Sequence, residues 1–310
     1  MKEPVFERQL DGIDDDEWLE LLEHTSGRGR HFFTANQLYT AYARNKVIIT
    51  RYIAKRGRYG LVLMVVGLAI WIYALKADWG ITLVLGIACT LSGVGMVGTG
   101  VVTRRDPAAR EPIERWLSKW TALREVERLI MGPKLVHTSL DDAPPSARCL
   151  IIVERDELVD LLLKNGAQRE LSALIVAESG YPEALTNEAR RLLDERSDLK
   201  VVLLHDATPA GVAMPARLQK SKTLPLANRE LVDAGLFPAD VTWLAELAPA
   251  IPAGHINRVP VDSLSYEALL IGLRGIGEGA LSLATPIREA AQRAIEGPAL
   301  ETARHATNQA

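Results

Sequence analysis

The chain has 310 residues and a formal net charge of −3, so its overall charge does not indicate a protein that coats nucleic acid. This length is enough for two or three structural units with a sizeable core. There are two cysteines, Cys89 in an apolar run and Cys149 in a predicted strand, which argues against a disulfide framework. The acidic first 25 residues do not resemble a secretory signal peptide.

The segment that follows is strongly basic. Residues 27–58 contain eight lysines and arginines and no acidic residue. This pattern predicts attraction to the anionic headgroups of membrane lipid, with contact to nucleic acid as the alternative. Within the segment, residues 33–44 are predicted to be helical, with Thr34 as the N-cap. Residues 1–58 are therefore predicted to form an N-terminal cytoplasmic helical segment.

Two apolar runs come next, over residues 60–77 and 80–102. As helices they would be about 27 and 35 Å long, close to the thickness of a bilayer core. The short link between them predicts an antiparallel hairpin, and the basic flanks place both termini in the cytoplasm. Residues 59–103 are therefore predicted to be a transmembrane hairpin in the cell membrane, with a buried hairpin in a soluble core as the alternative. Small residues in the second run predict close packing, within the hairpin or between copies in a homo-oligomer.

Residues 104–147 are predicted to form an amphipathic helix and a linker. Apolar residues between Ile113 and Met131 recur at spacings of three and four. This helix could pack on the following domain, lie at a membrane interface or pair with another copy. Residues 138–147, which contain two adjacent prolines, are predicted to be the linker.

The next stretch alternates short apolar runs with amphipathic helices. Strands are predicted at 149–153, 173–177 and 201–204, with helices at 157–164 and 183–196 between them. This βαβαβ pattern predicts an α/β fold with a doubly wound parallel sheet over residues 148–250. Residues 251–310 are predicted to be a C-terminal helical extension and tail.

Acidic residues follow the predicted strands. Glu154 ends the first strand, a loop over residues 178–182 follows the second, and Asp206 comes after the third. Because the carboxyl ends of parallel strands share one edge of the sheet, these groups are predicted to line one cleft. Carboxylates gathered in this way can hold Mg²⁺. The alternative is that they are solvated polar residues at the starts of loops.

Three short motifs in this region resemble those of a known family. Val-Glu-Arg ends the first strand, Gly-Tyr-Pro lies in the loop after the second, and Asp-Ala-Thr-Pro-Ala-Gly follows the third. With the segment 234–240, they resemble the Toprim domain found in the DNA-cleaving chain of type IIB topoisomerases and in the meiotic double-strand-break enzymes. The resemblance covers roughly residues 148–244.

The resemblance implies a magnesium site and a substrate site at the cleft. It assigns Glu154 and Asp206 as catalytic residues and metal ligands. Thr208 stands where the family has a second metal-binding aspartate and offers only a neutral oxygen, so the metal motif is degenerate. The substrate-binding residues that the resemblance implies are Arg155, Gly180, Tyr181 and Pro182.

The resemblance also implies that the chain lacks the family's catalytic tyrosine. The family carries a catalytic tyrosine on an upstream helical domain, and Thr40 stands at the corresponding place here. The neighbouring Tyr39 and Tyr42 are predicted to be packing residues.

Two functions remain open at this point. One is a membrane-anchored Toprim-like scaffold or sensor with a weakened magnesium cleft and a nucleic-acid or protein partner. The alternative is a Mg²⁺-dependent, nuclease-like phosphotransfer enzyme that acts on nucleic acid or nucleotides.

Overall fold

The computed structural model describes residues 15–77, 87–92, 111–123, 125–134, 146–226, 229–242, 244, 247 and 256–293. The chain divides into two compact units. The first unit contains residues 1–42 and 110–310, and the second unit contains residues 43–109.

The N-terminal part of the first unit is built from helices and a small parallel sheet. Helix α1 covers Asp15–Thr25, strand β1 covers Phe33–Thr34, and helix α2 runs from Ala35 to Ala77, beginning in this unit. Helix α3 covers Glu111–Leu123, and strand β2, Leu129–Ile130, pairs with β1 in parallel. A small core holds them together, and its largest residues are Trp18, Phe33, Leu38, Tyr42 and Trp120.

A four-stranded parallel sheet forms the centre of the first unit. Its strands are β3 (Cys149–Val153), β4 (Ala173–Ala177), β5 (Lys200–Leu204) and β6 (Leu231–Asp233), in the order β4-β3-β5-β6. The first three strands are almost wholly apolar, so burial stabilises them on both faces of the sheet. The predicted α/β class with a parallel sheet is confirmed.

Helices cover this sheet. They are α4 (Asp156–Lys164), α5 (Ala167–Leu171), α6 (Glu183–Glu195), α7 (Pro209–Val212) and α8 (Met214–Leu218). After β6 come the short helix α9 (Pro238–Val241) and 3-10 turns at Ile256–Arg258 and Val261–Ser263. Helix α10 covers Tyr266–Gly277, and the Ser265 side chain caps it by accepting the Ala268 N–H. Residues 284–293 are helical as well.

The second unit contains the rest of α2 and a helical stretch at residues 87–92. These helices approach closely at Gly67, where an added Cβ would lie 2.6 Å from Thr90 Oγ1 and 2.7 Å from the Thr90 nitrogen. A glycine is therefore required for this contact. The small residues of the second apolar run that are predicted to pack closely include Gly93 and Gly95, which lie outside the described residues.

The predicted membrane hairpin is corrected by the structure. Crossing a bilayer takes about 20 consecutive apolar residues in one helix. Within the described ranges, none of the helices has both the length and the apolar character that crossing requires. The first predicted run is not a separate helix, because it continues α2 from the basic segment before it. Residues 80–86 and 93–102 of the second run lie outside the described residues. The predicted two-span localisation in the cell membrane is therefore wrong.

Candidate functional site

The site lies where the central strands end. Val153 pairs with Ala177 on one side and with Leu204 on the other, so all three strands stop at the same level. The backbone continues the register for one more residue: the Glu154 N–H donates to the Leu204 carbonyl at 3.0 Å. Glu154, the loop after Ala177 and the residues after Leu204 therefore start from one edge of the sheet, as the sequence predicts for parallel strands.

Glu154 and Asp206 come together at this edge. The Glu154 Oε2 atom accepts a hydrogen bond of 2.9 Å from the Asp206 backbone N–H. Gly211 closes over both, because a Cβ there would lie 2.2 Å from the Asp206 carbonyl oxygen and 2.8 Å from Glu154 Oε2. Glu154 therefore fixes the backbone at Asp206, and its carboxylate is packed under a glycine that a larger residue could not replace without displacement.

A guanidinium group bridges the acidic side chains. Arg155 donates to the Asp206 carboxylate twice, from Nε to Oδ2 at 2.9 Å and from Nη2 to Oδ1 at 3.3 Å. The same Nη2 also donates to Asp262 Oδ1. A third carboxylate, that of Glu157, accepts from Nη1 through Oε2 at 3.4 Å. Arg155 thus occupies the space between two carboxylates that come from distant parts of the chain.

Asp262 is the residue that sequence reasoning missed. It lies in the 3-10 turn Val261–Ser263, and its side chain is only 1% exposed. The preceding residue joins the site as well, because the Val261 N–H donates to Asp206 Oδ1 at 2.8 Å. Asn36, at the start of α2, donates from Nδ2 to both Asp262 carboxylate oxygens, at 3.2 and 3.1 Å. The site therefore links the sheet, the C-terminal turn and the N-terminal helix.

Burial and charge act against each other in this group. Burial lowers the pKa of the Arg155 guanidinium, but the charges of Asp262 and Asp206 and their hydrogen bonds outweigh it, so this pKa is raised. Burial raises the pKa of the Asp206 carboxyl, although Arg155 and the Val261 N–H favour its charged form. The arginine therefore remains a fixed cation in the site.

A buried histidine lies behind Asp206. His205 Nδ1 is 2.8 Å from the Asp206 carbonyl oxygen, and Nε2 is 2.9 Å from Asp233 Oδ1. The ring also meets Phe237 edge-on, with 5.3 Å between the ring centres. Burial lowers the pKa of His205, but the contacts with Asp233 and the Asp206 backbone and the charge of Glu154 raise it above its ordinary value. His205 thus ties the end of β5 to the end of β6.

Thr208 has a structural role in the described contacts. Its Oγ1 accepts the Gly211 N–H at 2.9 Å and so caps helix α7. An N-cap side chain of this kind satisfies a backbone donor that the helix itself leaves free. The prediction that Thr208 is a metal ligand remains a prediction, but this oxygen is already engaged in the cap.

The predicted substrate loop is also held by internal contacts. Gly180 has a φ of +93°, and the Tyr181 carbonyl accepts the Ala177 N–H at 2.7 Å. The Tyr181 hydroxyl donates to Asp160 Oδ1 in α4 at 2.8 Å. Pro182 precedes α6 directly. Of the four predicted substrate-binding residues, Arg155 is the one that the described hydrogen bonds bring to Asp206.

The arrangement does not fit Mg²⁺ as it stands. Magnesium demands oxygen ligands at about 2.0–2.1 Å in near-octahedral geometry. Here the Asp206 carboxylate faces the Arg155 guanidinium and a backbone N–H, and the nearby Asp262 carboxylate faces Arg155 and Asn36. In the part of the chain that the structure describes, no group of three or more acidic, histidine or cysteine side chains could hold a metal ion.

The tyrosines near the start of α2 are packing residues. Tyr39 and Tyr42 are 7% and 8% exposed, and Tyr42 belongs to the small core around Trp18 and Trp120. Thr40, which stands at the place of the family's nucleophile, is buried too. This agrees with the interpretation that the sequence offers for these residues.

The parallel sheet and the carboxylates at its carboxyl edge define a Toprim-like domain, and comparison with known proteins supports this class. Residues 149–234 match the family model for the Toprim domain of the topoisomerase 6 (TOP6A) and Spo11 family. The chain is also similar to the meiotic recombination protein W68 of Drosophila melanogaster, with 27% identity over 154 residues. The aligned part is 46% of each chain, so the chain spans about half the length of this curated relative. No solved structure matches significantly.

Proposed function

We propose that this chain is a Toprim-like protein of DNA processing, whose cleft serves as a scaffold or sensor that binds DNA without cutting it. The observation that carries the proposal is the Arg155 bridge between Asp206 and Asp262. A guanidinium in this position supplies a permanent positive charge where a metal-dependent enzyme would need room for a cation. The cleft is therefore held together without magnesium.

Three further features support this function. The Thr208 hydroxyl is used as a helix cap, so the family's second aspartate has no functional substitute at that position. The tyrosines near the start of α2 are buried, so a tyrosine nucleophile is not presented to DNA. The relative and the matching family model both carry names from DNA recombination and topology, which supports DNA as the ligand class.

The second candidate is a Mg²⁺-dependent phosphotransfer enzyme. It rests on the meeting of Glu154 and Asp206 at one edge of the sheet, the arrangement that the sequence predicts for a magnesium site. If Arg155 moved away, these two carboxylates would be the ligands for a single Mg²⁺ ion, which could act as a Lewis acid on a phosphoryl oxygen. The Arg155 bridge favours the first candidate.

The two functions are separated by one experiment on the full-length chain. Labelled duplex DNA is incubated with the protein in EDTA, in Mg²⁺ and in Mn²⁺, and both binding and strand integrity are measured. The proposal predicts binding that already occurs in EDTA and needs no divalent metal, and no cleavage in any of the three conditions. Cleavage that needs the metal and disappears in Asp206→Asn would establish the second candidate.

A further inference from the structure

Two basic side chains lie over the ring of Phe32 in the first unit, and two exposed arginines precede Phe32 in the chain. The Arg128 guanidinium lies 5.5 Å from the centre of the Phe32 ring, and Lys164 Nζ lies 5.4 Å from it. Arg128 also donates to the Arg30 carbonyl oxygen at 3.4 Å. These residues come from three separate parts of the chain. We call Arg28, Arg30, Phe32, Arg128 and Lys164 together the Phe32 surface.

The Phe32 surface is fixed to the Toprim-like domain. The Phe32 N–H donates to Asn165 Oδ1 at 2.7 Å, and Asn165 Nδ2 donates to the Phe32 carbonyl at 2.9 Å. Asn165 is the residue directly after α4, and Lys164 is the last residue of that helix. Both backbone groups of Phe32 are therefore bound by one side chain, which holds the basic segment against the end of α4.

Two of the arginines have a strained, left-handed backbone conformation. Arg28 has a φ of +62° and Arg128 a φ of +65°, and with Ser172 they are the non-glycine residues of the described chain with positive φ. Gly27 and Gly29 on either side of Arg28 share this left-handed conformation. Residues with a side chain rarely adopt this conformation, and those that do are concentrated at functional sites. The turn exposes Arg28 and Arg30 to solvent.

The cations of this surface are poorly neutralised. Arg128 has a contact of 3.7 Å with Glu127, whose side chain is 89% exposed. Within the described residues, neither Arg28, Arg30 nor Lys164 has an ion pair with a carboxylate. Glu23, Glu125 and Glu127 line a neighbouring cavity of about 490 Å³ together with Arg28 and Arg128, whereas Arg30 and Lys164 do not line it. Arg30 and Lys164 therefore carry the least compensated charge.

The surface lies one helix length from the cleft. Arg155 precedes the first residue of α4 and Lys164 is its last, so they are nine positions apart. At 1.5 Å per residue this is about 14 Å, or roughly four steps of a DNA duplex at 3.4 Å each. Because α4 runs back from the carboxyl edge of the sheet, a duplex that contacts both places must run along α4.

We infer that the Phe32 surface binds the phosphate backbone of duplex DNA and positions the duplex relative to the cleft. This inference rests on the proposed function and names the surface that makes the contact. The partner is a polyanion because Arg30 and Lys164 have no carboxylate ion pair among the described residues, and Arg28 and Arg128 add two further cations beside them. Contacts of this kind are independent of base sequence and fix the register of the protein on DNA. Their strength depends on salt because binding releases counterions.

The test is a charge-reversal variant with a matched control, using the full-length chain. The variant is Arg30→Glu with Lys164→Glu, and the control is Lys220→Glu with Lys222→Glu. The control lysines are exposed and lie between Leu218 and Leu224, which pack in the core on one face of the sheet. Phe32 packs against the core on the other face. Both changes alter the net charge by the same amount. Circular dichroism checks folding, and Arg30→Gln with Lys164→Gln serves as a milder version.

Binding is measured by fluorescence anisotropy with labelled duplex DNA in EDTA over a salt series. We expect the Phe32-surface variant to bind about tenfold more weakly or worse, with a salt slope lowered by about 1 for each residue, and the control to stay close to wild type. Equal effects of the two variants, or no effect of either, would overturn the inference and leave the proposed function standing. A wild type that does not bind DNA in EDTA would overturn both. Polyglutamate that competes as well as unlabelled DNA would overturn the inference in favour of an acidic protein partner.

Discussion

Replacing Arg155 by methionine removes the guanidinium but keeps most of the apolar length of the side chain. Two buried carboxylates, Asp206 and Asp262, then lose the cation between them. Breaking a buried ion pair from one side costs about 3–5 kcal/mol, because the remaining charge is left uncompensated. We expect a loss of free energy of unfolding in this range, measured by urea denaturation followed by circular dichroism.

The matched control is Arg191→Met. Arg191 forms ion pairs with Glu188 and Glu195 on the surface of α6, and all three side chains are more exposed than Asp262. Its loss should be far smaller, because solvent screens exposed pairs. The double variant Arg155→Met with Asp262→Asn should recover part of the stability, with a coupling of about 1–3 kcal/mol. A loss no larger than that of the control, or strict additivity with Asp262→Asn, would refute the bridge as a stabilising element.

Three further predictions concern the surroundings of the site and the second unit. Thr208→Ala should lower the free energy of unfolding by about 1 kcal/mol in urea denaturation, because the helix cap is lost. Thr208→Asp should leave it unchanged, because aspartate also caps helices. A Thr208→Asp variant that gains Mg²⁺ affinity would show that this position faces a metal site instead. His205 has a folded pKa above its ordinary value of 6.5, so its contribution to stability is full below about pH 6.5 and is lost as pH rises through the raised pKa. The unfolding free energy of wild type should therefore fall with pH in this window relative to His205→Asn, and parallel profiles would contradict the assignment. Gly67→Leu should cost about 1–3 kcal/mol in thermal or urea unfolding, because Thr90 lies against it; an unchanged midpoint would argue against the close contact.

The central sheet could be predicted because its signals are local. Cys149–Val153, Ala173–Ala177 and the third strand are short apolar runs between amphipathic helices, and the structure places all three in one parallel sheet. The meeting of Glu154 and Asp206 follows from topology alone. Strand β6 was not predicted, because Leu231–Asp233 has only three residues and is too short to give a clear strand pattern.

The rest of the site could not be predicted because it depends on distant contacts. Asp262 lies 107 positions from Arg155, and Asn36 lies 226 positions from Asp262, so no local pattern connects them. The sequence offered Arg155 as a substrate-binding residue but gave no sign that carboxylates would hold it. The predicted helix over 113–131 is confirmed only as far as Leu123, for a related reason. Its apolar spacing continues through Leu129 and Ile130, but these residues pair with Phe33 and Thr34 as a strand.

The two-span membrane prediction was wrong for a different reason. Residues 60–77 are apolar in sequence, but in the structure they are the end of the helix that begins at Ala35. Hydropathy alone does not show where a helix begins. The relation between the basic segment and the apolar run is a property of the folded chain.

The most direct measurement of the central claim is a calorimetric titration of Mg²⁺ into the wild-type chain and into Arg155→Met. If Arg155 occupies the place of a cation, wild type should bind no Mg²⁺ at millimolar concentration. The variant, if it stays folded, should gain weak binding that Asp206→Asn removes. Stoichiometric Mg²⁺ binding by wild type, lost in Asp206→Asn, would contradict the account and establish the cleft as a metal site.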